Sequence, residues 1–272
     1  MLRTIRLLIA YDGSGYHGWQ RQRQGETTIQ EELETRLSAL CQQQITLHGA
    51  GRTDAGVHAL GMVAHFHTAS AIPLAAFTKG LNSLLPPDIR ILGAEEAPPN
   101  FHSRFSAVGK TYRYSFFTGP VQLPGNRCYQ AHYPGLFDPK LLEPALAVLV
   151  GTHDFSSFER SGSRDKEATD GRGAVRTLTR ISCVPVLGRP DHWSIRFTGD
   201  GFLRQMVRIL TGTLIEIGQG KRQPDEIAAI LAAKNRAAAG PTAPACGLLL
   251  EEIHYHPQIF CPPSPCSKPA AP

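Results

Sequence analysis

The sequence lacks the features that place a protein in a membrane or outside the cell. No stretch of its 272 residues approaches the roughly 20 consecutive apolar residues that a bilayer-spanning helix needs. Arginines interrupt the first apolar segment, so it lacks the core of a signal peptide. The six cysteines include no Cys-x-x-Cys pair, and His65 and His67 have no third metal ligand nearby, which indicates packing or surface residues. We therefore expect a cytoplasmic protein without metal or membrane partner.

Length and charge restrict the number of domains and the type of partner only loosely. At about 150 residues per domain, the chain has room for roughly two domains, and an apolar fraction of 42% can supply a substantial core. The 28 basic side chains outnumber the 23 acidic ones, giving a net charge of +5. This balance favours a polyanionic partner without requiring one.

Residues 49–56 are rich in glycine and contain the first candidate catalytic group. Glycine disfavours both helix and strand, so we predict a loop here, followed by a strand. Within the loop, Arg52, Thr53 and Asp54 place a guanidinium, a hydroxyl and a carboxylate on consecutive residues. A carboxylate on a loop fixed to a sheet suits catalysis, but most loop aspartates only form an Asx-turn or cap a helix. The loop alone leaves both interpretations open.

A second glycine motif, Gly-Ser-Gly-Tyr-His-Gly at residues 13–18, matches the Gly-x-Gly-x-x-Gly pattern of dinucleotide-binding folds. That pattern needs a helix directly after the loop, whereas the first helix signal here is the capping box at Thr28. We therefore reject a nucleotide cofactor at this motif. The intervening loop carries Trp19, Arg21 and Arg23, a mixture that suits phosphate contact and base stacking or a solvated hairpin.

Apolar periodicity predicts the same order of elements in both halves of the chain. The first half gives strand 5–11, helix 28–40, strand 45–50, strand 61–68, helix 73–85 and strand 89–95. The second gives strand 112–117, helix 138–150, strands 176–186 and 193–198, helices 202–217 and 225–234, and strand 247–255. Pro144 is expected to bend its helix or delay its start.

This order predicts an α+β fold with two similar β-α-β-β-α-β halves, residues 1–105 and 106–256. The halves form an antiparallel sheet with helices packed on it and leave a central cleft where they meet, the usual place for a site. Residues 257–272 contain six prolines and are predicted to be a disordered tail.

Basic residues outside the simple helix surfaces form two groups. Arg21, Arg23 and Lys110 lie in or beside loops, and residues 160–172 form a basic loop whose length is typical of functional segments. Arg208 instead falls on the apolar helix predicted for residues 202–217. A buried arginine without an anion costs several kcal/mol, so its partner is either a structural carboxylate between the halves or the catalytic candidate of the glycine loop.

Six motifs follow one another along the chain. They are Gly-Arg-Thr-Asp-Ala-Gly-Val-His (51–58), Asn-Phe-His-Ser-Arg-Phe-Ser-Ala (100–107), Lys-Thr-Tyr-Arg-Tyr (110–114), Gly-Thr-His-Asp-Phe-Ser-Ser-Phe (151–158), Phe-Leu-Arg-Gln-Met-Val-Arg (202–208) and Thr-Ala-Pro-Ala-Cys-Gly-Leu-Leu-Leu (242–250). In this order, and over nearly the whole chain up to the tail, the sequence resembles the tRNA pseudouridine synthase A family.

The resemblance implies an isomerase without cofactor or metal. It would convert uridine to pseudouridine at nucleotides 38 to 40 of the tRNA anticodon stem-loop and work as a homodimer. Asp54 matches the catalytic aspartate, and Arg52 matches the arginine that helps to displace the target base. Tyr112 matches the aromatic residue on the uracil, Arg208 the arginine paired with the aspartate, and Leu248 the aliphatic residue on the other side of the base. Arg21, Arg23 and Lys110 are interpreted as RNA-binding.

Two other classes of protein share part of this pattern. An RNA-binding protein without catalysis would keep the basic loops, but it has little need of an arginine positioned against one aspartate. A glycosidase-like hydrolase needs a second carboxylate, for which Asp12 is the nearest candidate in the first half.

Overall fold

Two copies of one unit of strands and helices join in a single sheet. The computed structural model describes residues 2–22, 25–162 and 173–260. Within these ranges the ten strands belong to one sheet, and the helices pack against it around a continuous apolar core. None of the described helices has both the length and the apolar character needed to cross a bilayer.

The first unit matches the predicted order closely. Its elements are β1 (Arg3–Tyr11), α1 (Ile29–Cys41), β2 (His48–Gly49), β3 (His58–Thr68), a π-helical turn (Ala76–Gly80) that runs into α2 (Leu81–Leu84), and β4 (Ile89–Ala97). The Thr28 hydroxyl caps α1 by accepting a hydrogen bond from the Glu31 N–H at 3.3 Å, as the capping box predicts.

The second unit contains more short elements than its sequence indicates. It consists of β5 (Ala107–Phe117), β6 (Ala131–His132), α3 (Glu143–Leu149), β7 (Gly151–Asp154), β8 (Val175–Pro185), β9 (His192–Gly199), α4 (Met206–Gly218), α5 (Glu226–Ala233) and β10 (Leu248–Tyr255). β6 and β7 are too short to show a period of two and were not predicted. α3 begins late, after a 3₁₀ turn at Pro139–Leu142, because Pro144 is tolerated only in the first turn.

The strand order repeats between the units and shows how they join. The main path of the sheet is β4-β1-β3 followed by β10-β5-β9-β8-β7. In each unit the first strand therefore lies between the last strand and the last but one, which is β3 in the first unit and β9 in the second. β3 serves both units: His58 and Ala59 pair in parallel with β10, while Ala64 and His65 pair antiparallel with β2. The β5–β6 ladder is also parallel, and the others are antiparallel. The predicted α+β fold with two similar halves is confirmed, but the sheet is mixed instead of purely antiparallel, because of these two parallel pairs. The division at residues 105 and 106 stays a prediction.

α4 is the most deeply buried helix of those described. All its residues except Arg208 and Glu216 are buried, so Arg208 lies on a helix that has almost no solvent face. The helix begins at Met206 instead of residue 202, because Gln205 has a φ of 60°, a left-handed conformation that a helix cannot continue through. Arg204 therefore precedes the helix.

The Gly13–Gly18 motif has a packing role. A Cβ atom on Gly13 would lie 2.1 Å from the carbonyl oxygen of Val57, and one on Gly18, whose φ is +97°, would lie 2.6 Å from the carbonyl oxygen of Thr53. The Trp19 N–H donates to the same Thr53 oxygen at 3.1 Å. The backbone of this motif therefore lies directly against residues 53–57, and only glycine permits so close an approach.

We expect Gly13→Ala to lower the free energy of unfolding by about 1–3 kcal/mol, because the added methyl group must displace the backbone of Val57. Gly15→Ala is the matched control, since a Cβ atom there meets no atom within 4 Å, and it should change stability by less than about 0.5 kcal/mol. Urea denaturation measures both. Equal stabilities of the two variants would contradict the packing role.

Candidate active site

A cavity of about 1170 Å³ opens between the two units. The loop after β2, the strand β5, the segment that leads into α4 and the start of β10 all contribute to its walls. The cavity brings together the five residues that the sequence assigns to catalysis and to the target base: Arg52, Asp54, Tyr112, Arg208 and Leu248. The predicted central cleft is therefore present.

An ion pair between the two units lies in this cleft. Arg208 Nη1 donates to Asp54 Oδ2 at 3.1 Å, and Arg208 Nε donates to the carbonyl oxygen of Ala243 at 2.7 Å. The Arg208 side chain is 15% exposed and that of Asp54 is 27% exposed. Because the guanidinium is fixed by two partners, it holds the carboxylate in one orientation while leaving it open to the cleft. Of the two partners considered for Arg208, the structure shows Asp54.

The loop itself holds Asp54 by its backbone. The carbonyl oxygen of Asp54 accepts from the Val57 N–H at 3.2 Å, and the neighbouring Thr53 hydroxyl is hydrogen-bonded to the Tyr11 hydroxyl at 2.9 Å. Within the described part of the chain, the Asp54 carboxylate accepts hydrogen bonds from Arg208 and from no backbone N–H of its own loop. The interpretation as an Asx-turn or helix cap is therefore wrong.

Tyr112 and Leu248 place apolar surface beside the carboxylate. Both are at least nine-tenths buried and line the cavity. The Tyr112 ring packs edge-on against Phe202, with 5.1 Å between the ring centroids. Burial, together with the negative charge of Asp54, raises the pKa of Tyr112 well above its usual value, so near neutral pH the residue presents a neutral ring. A flat base can lie between an aromatic and an aliphatic surface of this kind.

Lys110 is a cation without an acidic partner. Its Nζ donates to the carbonyl oxygen of Ala50 at 2.9 Å, and no carboxylate in the described ranges forms an ion pair with it. Burial, reinforced by the positive charges of Arg104 and Arg176, lowers the pKa of Lys110 to about 8. A cation in this position is suited to bind an anionic ligand in the cleft.

The whole cleft carries an excess of positive charge. Its described walls contain two carboxylates, Asp54 and Glu26, against six basic side chains: Arg52, Arg104, Lys110, Arg160, Arg204 and Arg208. Such a surface attracts a polyanion and concentrates it near the carboxylate.

Not every residue predicted to contact RNA lies exposed in this cleft. Arg21 is 3.6 and 3.5 Å from two glutamates of α1 and is absent from the cavity wall. Arg23 and residues 163–172 lie outside the described residues. Trp19 contributes to the cavity wall, but it is only 1% exposed and its ring packs against Tyr11 with 5.9 Å between the centroids. The interpretation of Trp19 as a base-stacking residue is therefore wrong.

The alternative second carboxylate is also separate from the site. Asp12 accepts a hydrogen bond from the Tyr129 hydroxyl and lies 3.2 Å from His58 Nδ1, in a different cavity of about 360 Å³. It does not contribute to the wall that contains Asp54. The pair that a glycosidase-like hydrolase needs is therefore not formed by these two residues.

Sequence reasoning gave no role to several residues of the wall, among them His102, Phe105 and Gln205. The first two belong to the motif at residues 100–107, to which no role was assigned. The sequence signal for this part of the wall was Phe105 next to Arg104 in the polar connection between β4 and β5, a combination that suits contact with nucleic acid.

The geometry describes an α+β protein with one arginine-paired carboxylate in a basic cleft, as expected of an enzyme that acts on nucleic acid. The chain matches the family model described as tRNA pseudouridine synthase over residues 7–106 and 145–256. It is 49% identical to tRNA pseudouridine synthase A 1 of Desulfotalea psychrophila, covering 93% of this chain and 100% of that protein. It is 44% identical to tRNA pseudouridine synthase A 2 of Clostridium tetani, over 94% of this chain and 100% of that protein. It is 42% identical to tRNA pseudouridine synthase A of Geobacter sulfurreducens, over 93% of this chain and 100% of that protein.

These matches define the class of the protein as an isomerase that acts on uridine in tRNA. The chain belongs to the tRNA pseudouridine synthase family.

We expect Arg208→Lys to lower kcat by about 100-fold, because one ammonium group cannot hold both Ala243 and Asp54 in the geometry of the guanidinium. Arg222→Lys is the matched control: Arg222 is 20% exposed and also joins two partners, Glu216 and Glu226, but it lies outside the cavity wall. Steady-state kinetics with tRNA measures both variants. A kcat of Arg208→Lys equal to that of the control would show that the orientation of Asp54 is unimportant.

Proposed function

We propose that Asp54 is the catalytic residue of this tRNA pseudouridine synthase, and that its substrates are the uridines at positions 38 to 40 of the anticodon stem-loop. The observation that carries the proposal is the Asp54–Arg208 ion pair inside the basic cleft, beside the Tyr112 ring. The positions in tRNA follow from the family resemblance of the motifs.

The reaction requires access to both the base and the sugar of one nucleotide. The bond from uracil N1 to C1′ of the ribose breaks, the uracil turns while it stays bound, and C5 forms the new bond to C1′. The proton leaves C5 and N1 gains one, so the reaction is an isomerisation without an external reactant. Because the uridine is normally stacked, it must first be turned out, at a cost of a few kcal/mol.

The apolar surfaces of Tyr112 and Leu248 offset this cost by holding the extruded base between them. Arg52 is exposed on the cavity wall and has no ion pair or side-chain hydrogen bond with any described residue. It is therefore free to take the place of the displaced base or to contact the backbone beside it. Lys110 lies in the cavity wall and would bind a phosphate group of the RNA. The sequence leads us to propose the same role for Arg21 and Arg23, outside this wall or the described residues.

The Asp54 carboxylate has three possible routes. It can attack C1′, add to the base, or take a proton from the sugar, and each route uses the negative charge of the carboxylate. Arg208 supports each of them in the same way, by orienting the carboxylate.

The family resemblance also leads us to propose a cytoplasmic homodimer. Sedimentation of the purified protein with and without tRNA would test the subunit number.

We expect Asp54→Asn to fold and bind tRNA but to lower the rate of pseudouridine formation by at least about 1000-fold, because an amide cannot supply the charge. Single-turnover assays on tRNA measure the rate, and RNAs with cytidine in place of each uridine at positions 38 to 40 identify the site. Asp12→Asn is the control, since its carboxylate lies outside the cavity wall, and it should remain active.

Normal turnover by Asp54→Asn would refute the catalytic assignment. Pseudouridine at other positions would refute the proposed substrate site, and release of free uracil would favour hydrolysis.

A second prediction concerns pH. If Lys110 binds phosphate, RNA binding raises its pKa, so binding takes up a proton once the pH exceeds the pKa of about 8 in the free protein. By linkage, affinity should then fall by up to about tenfold per pH unit above about pH 8. Lys110→Arg stays charged in this range and should show a flatter profile. Dissociation constants for tRNA between about pH 7 and about pH 9 measure the difference, and parallel profiles would exclude the phosphate contact.

A further inference from the structure

The connection between β4 and β5 presents a phenyl ring in the wall of the cleft. Phe105 is 76% exposed and lines the same cavity as Asp54. A single exposed apolar side chain is common on protein surfaces and needs no explanation. The surroundings of Phe105 therefore decide whether its exposure has a function.

The segment that carries the ring is held firmly by Ser103, which is fully buried. The Ser103 hydroxyl donates to the carbonyl oxygen of His48 at 2.6 Å, and its N–H donates to His65 Nδ1 at 3.2 Å. Its carbonyl oxygen accepts from the Tyr255 hydroxyl at 2.6 Å. These bonds tie the segment to β2, β3 and β10, so the exposed ring stands on a rigid support. Rigid aromatic surfaces bind with a low loss of conformational entropy.

Phe105 is the outermost ring of an aromatic series. His65 is buried and contacts His102 with 4.7 Å between ring centroids, and His102 contacts Phe105 at 4.3 Å with an interplanar angle of 33°. The N–H groups of Arg104 and Phe105 both donate to His102 Nδ1, at 3.2 and 3.4 Å. Burial, with His48 and Arg104 nearby, lowers the pKa of His102. A neutral imidazole thus supports the ring from behind.

Arg104 adds a positive charge beside the ring. Its guanidinium carbon lies 5.7 Å from the centroid of Phe105, and the side chain is exposed on the cavity wall. Across the described ranges no carboxylate forms an ion pair with it. An exposed ring next to an unpaired guanidinium matches what single-stranded nucleic acid offers, a flat base joined to a phosphate.

We propose that Phe105 and Arg104 form a second nucleobase site. Phe105 stacks on an unpaired base of the tRNA other than the isomerised uridine, and Arg104 binds the adjoining phosphate. The inference rests on the proposed entry of the substrate into the Asp54 cleft. Turning out one base deprives its neighbours of a stacking partner, and an exposed ring in the cleft wall can replace it, whereas the buried Tyr112 serves the extruded base.

The test is a double-mutant cycle that combines a substitution in the protein with the removal of one base from the RNA. Dissociation constants are measured for Phe105→Ala and its parent, both carrying Asp54→Asn to prevent turnover, with anticodon stem-loop RNAs that each lack one base. With intact RNA, Phe105→Ala should weaken binding by about tenfold. One abasic RNA, at a position other than the target uridine, should bind the parent as weakly as intact RNA binds Phe105→Ala. With that RNA, Phe105→Ala should cause no further loss of affinity.

Two further variants separate stacking from a general apolar effect. Phe105→Tyr keeps the ring and should bind like the parent, whereas Phe105→Leu keeps apolar area without a flat face and should bind like Phe105→Ala. Leu187→Ala, which removes a fully exposed apolar side chain outside the cavity wall, should leave the dissociation constant unchanged.

Three outcomes would overturn the proposal: binding by Phe105→Ala within twofold of the parent, a tenfold loss that persists with every abasic RNA, or a change in the subunit number of Phe105→Ala measured by sedimentation. The last would identify the ring as a contact between subunits. Failure of the Asp54 assignment is distinguishable, because it appears as pseudouridine formed by Asp54→Asn, whereas the role of Phe105 is decided by the difference in dissociation constant between Phe105→Ala and its parent.

Discussion

The arrangement of the cleft depends on one ion pair across the two units, between Arg208 on α4 and Asp54 on the glycine loop. An arginine on so buried a helix would destabilise the fold if it had no anion, and it has two acceptors, the carboxylate and the carbonyl oxygen of Ala243. The second acceptor matters as much as the first. It fixes the guanidinium before any substrate is present, so the carboxylate is oriented in advance and no binding energy is used for that purpose.

The sheet explains how distant segments meet at this pair. β3 begins directly after the glycine loop, and its first two residues pair with Leu249 and Leu250 of β10. Leu250 in turn lies opposite Tyr112 on β5. The loop, the aliphatic residue at the start of β10 and the aromatic residue on β5 therefore lie on three neighbouring strands at the junction of the units. A parallel pair at the junction is what turns two similar units into one site.

Much of this could be predicted from sequence because the signals are local. Strand and helix periods gave the repeated unit, and the motif order identified Asp54, Arg208, Tyr112 and Leu248 together. Features that depend on tertiary contact could not be predicted. The burial of Trp19 follows from the close approach of Gly49, and the late start of α4 follows from the left-handed backbone at Gln205, neither of which has a period or a composition that would reveal it.

The same reasoning explains why the cleft is electrostatically unfavourable when it is empty. Six basic side chains face two acidic ones in its described walls, and burial with neighbouring positive charge lowers the pKa of Lys110. Lys110 therefore holds its proton less tightly in the folded protein than a solvent-exposed lysine does. A fold selected for stability alone would place a carboxylate beside Lys110. The missing acid is explained if phosphate groups of the substrate complete the charge balance, so that electrostatic repulsion in the free protein becomes attraction in the complex.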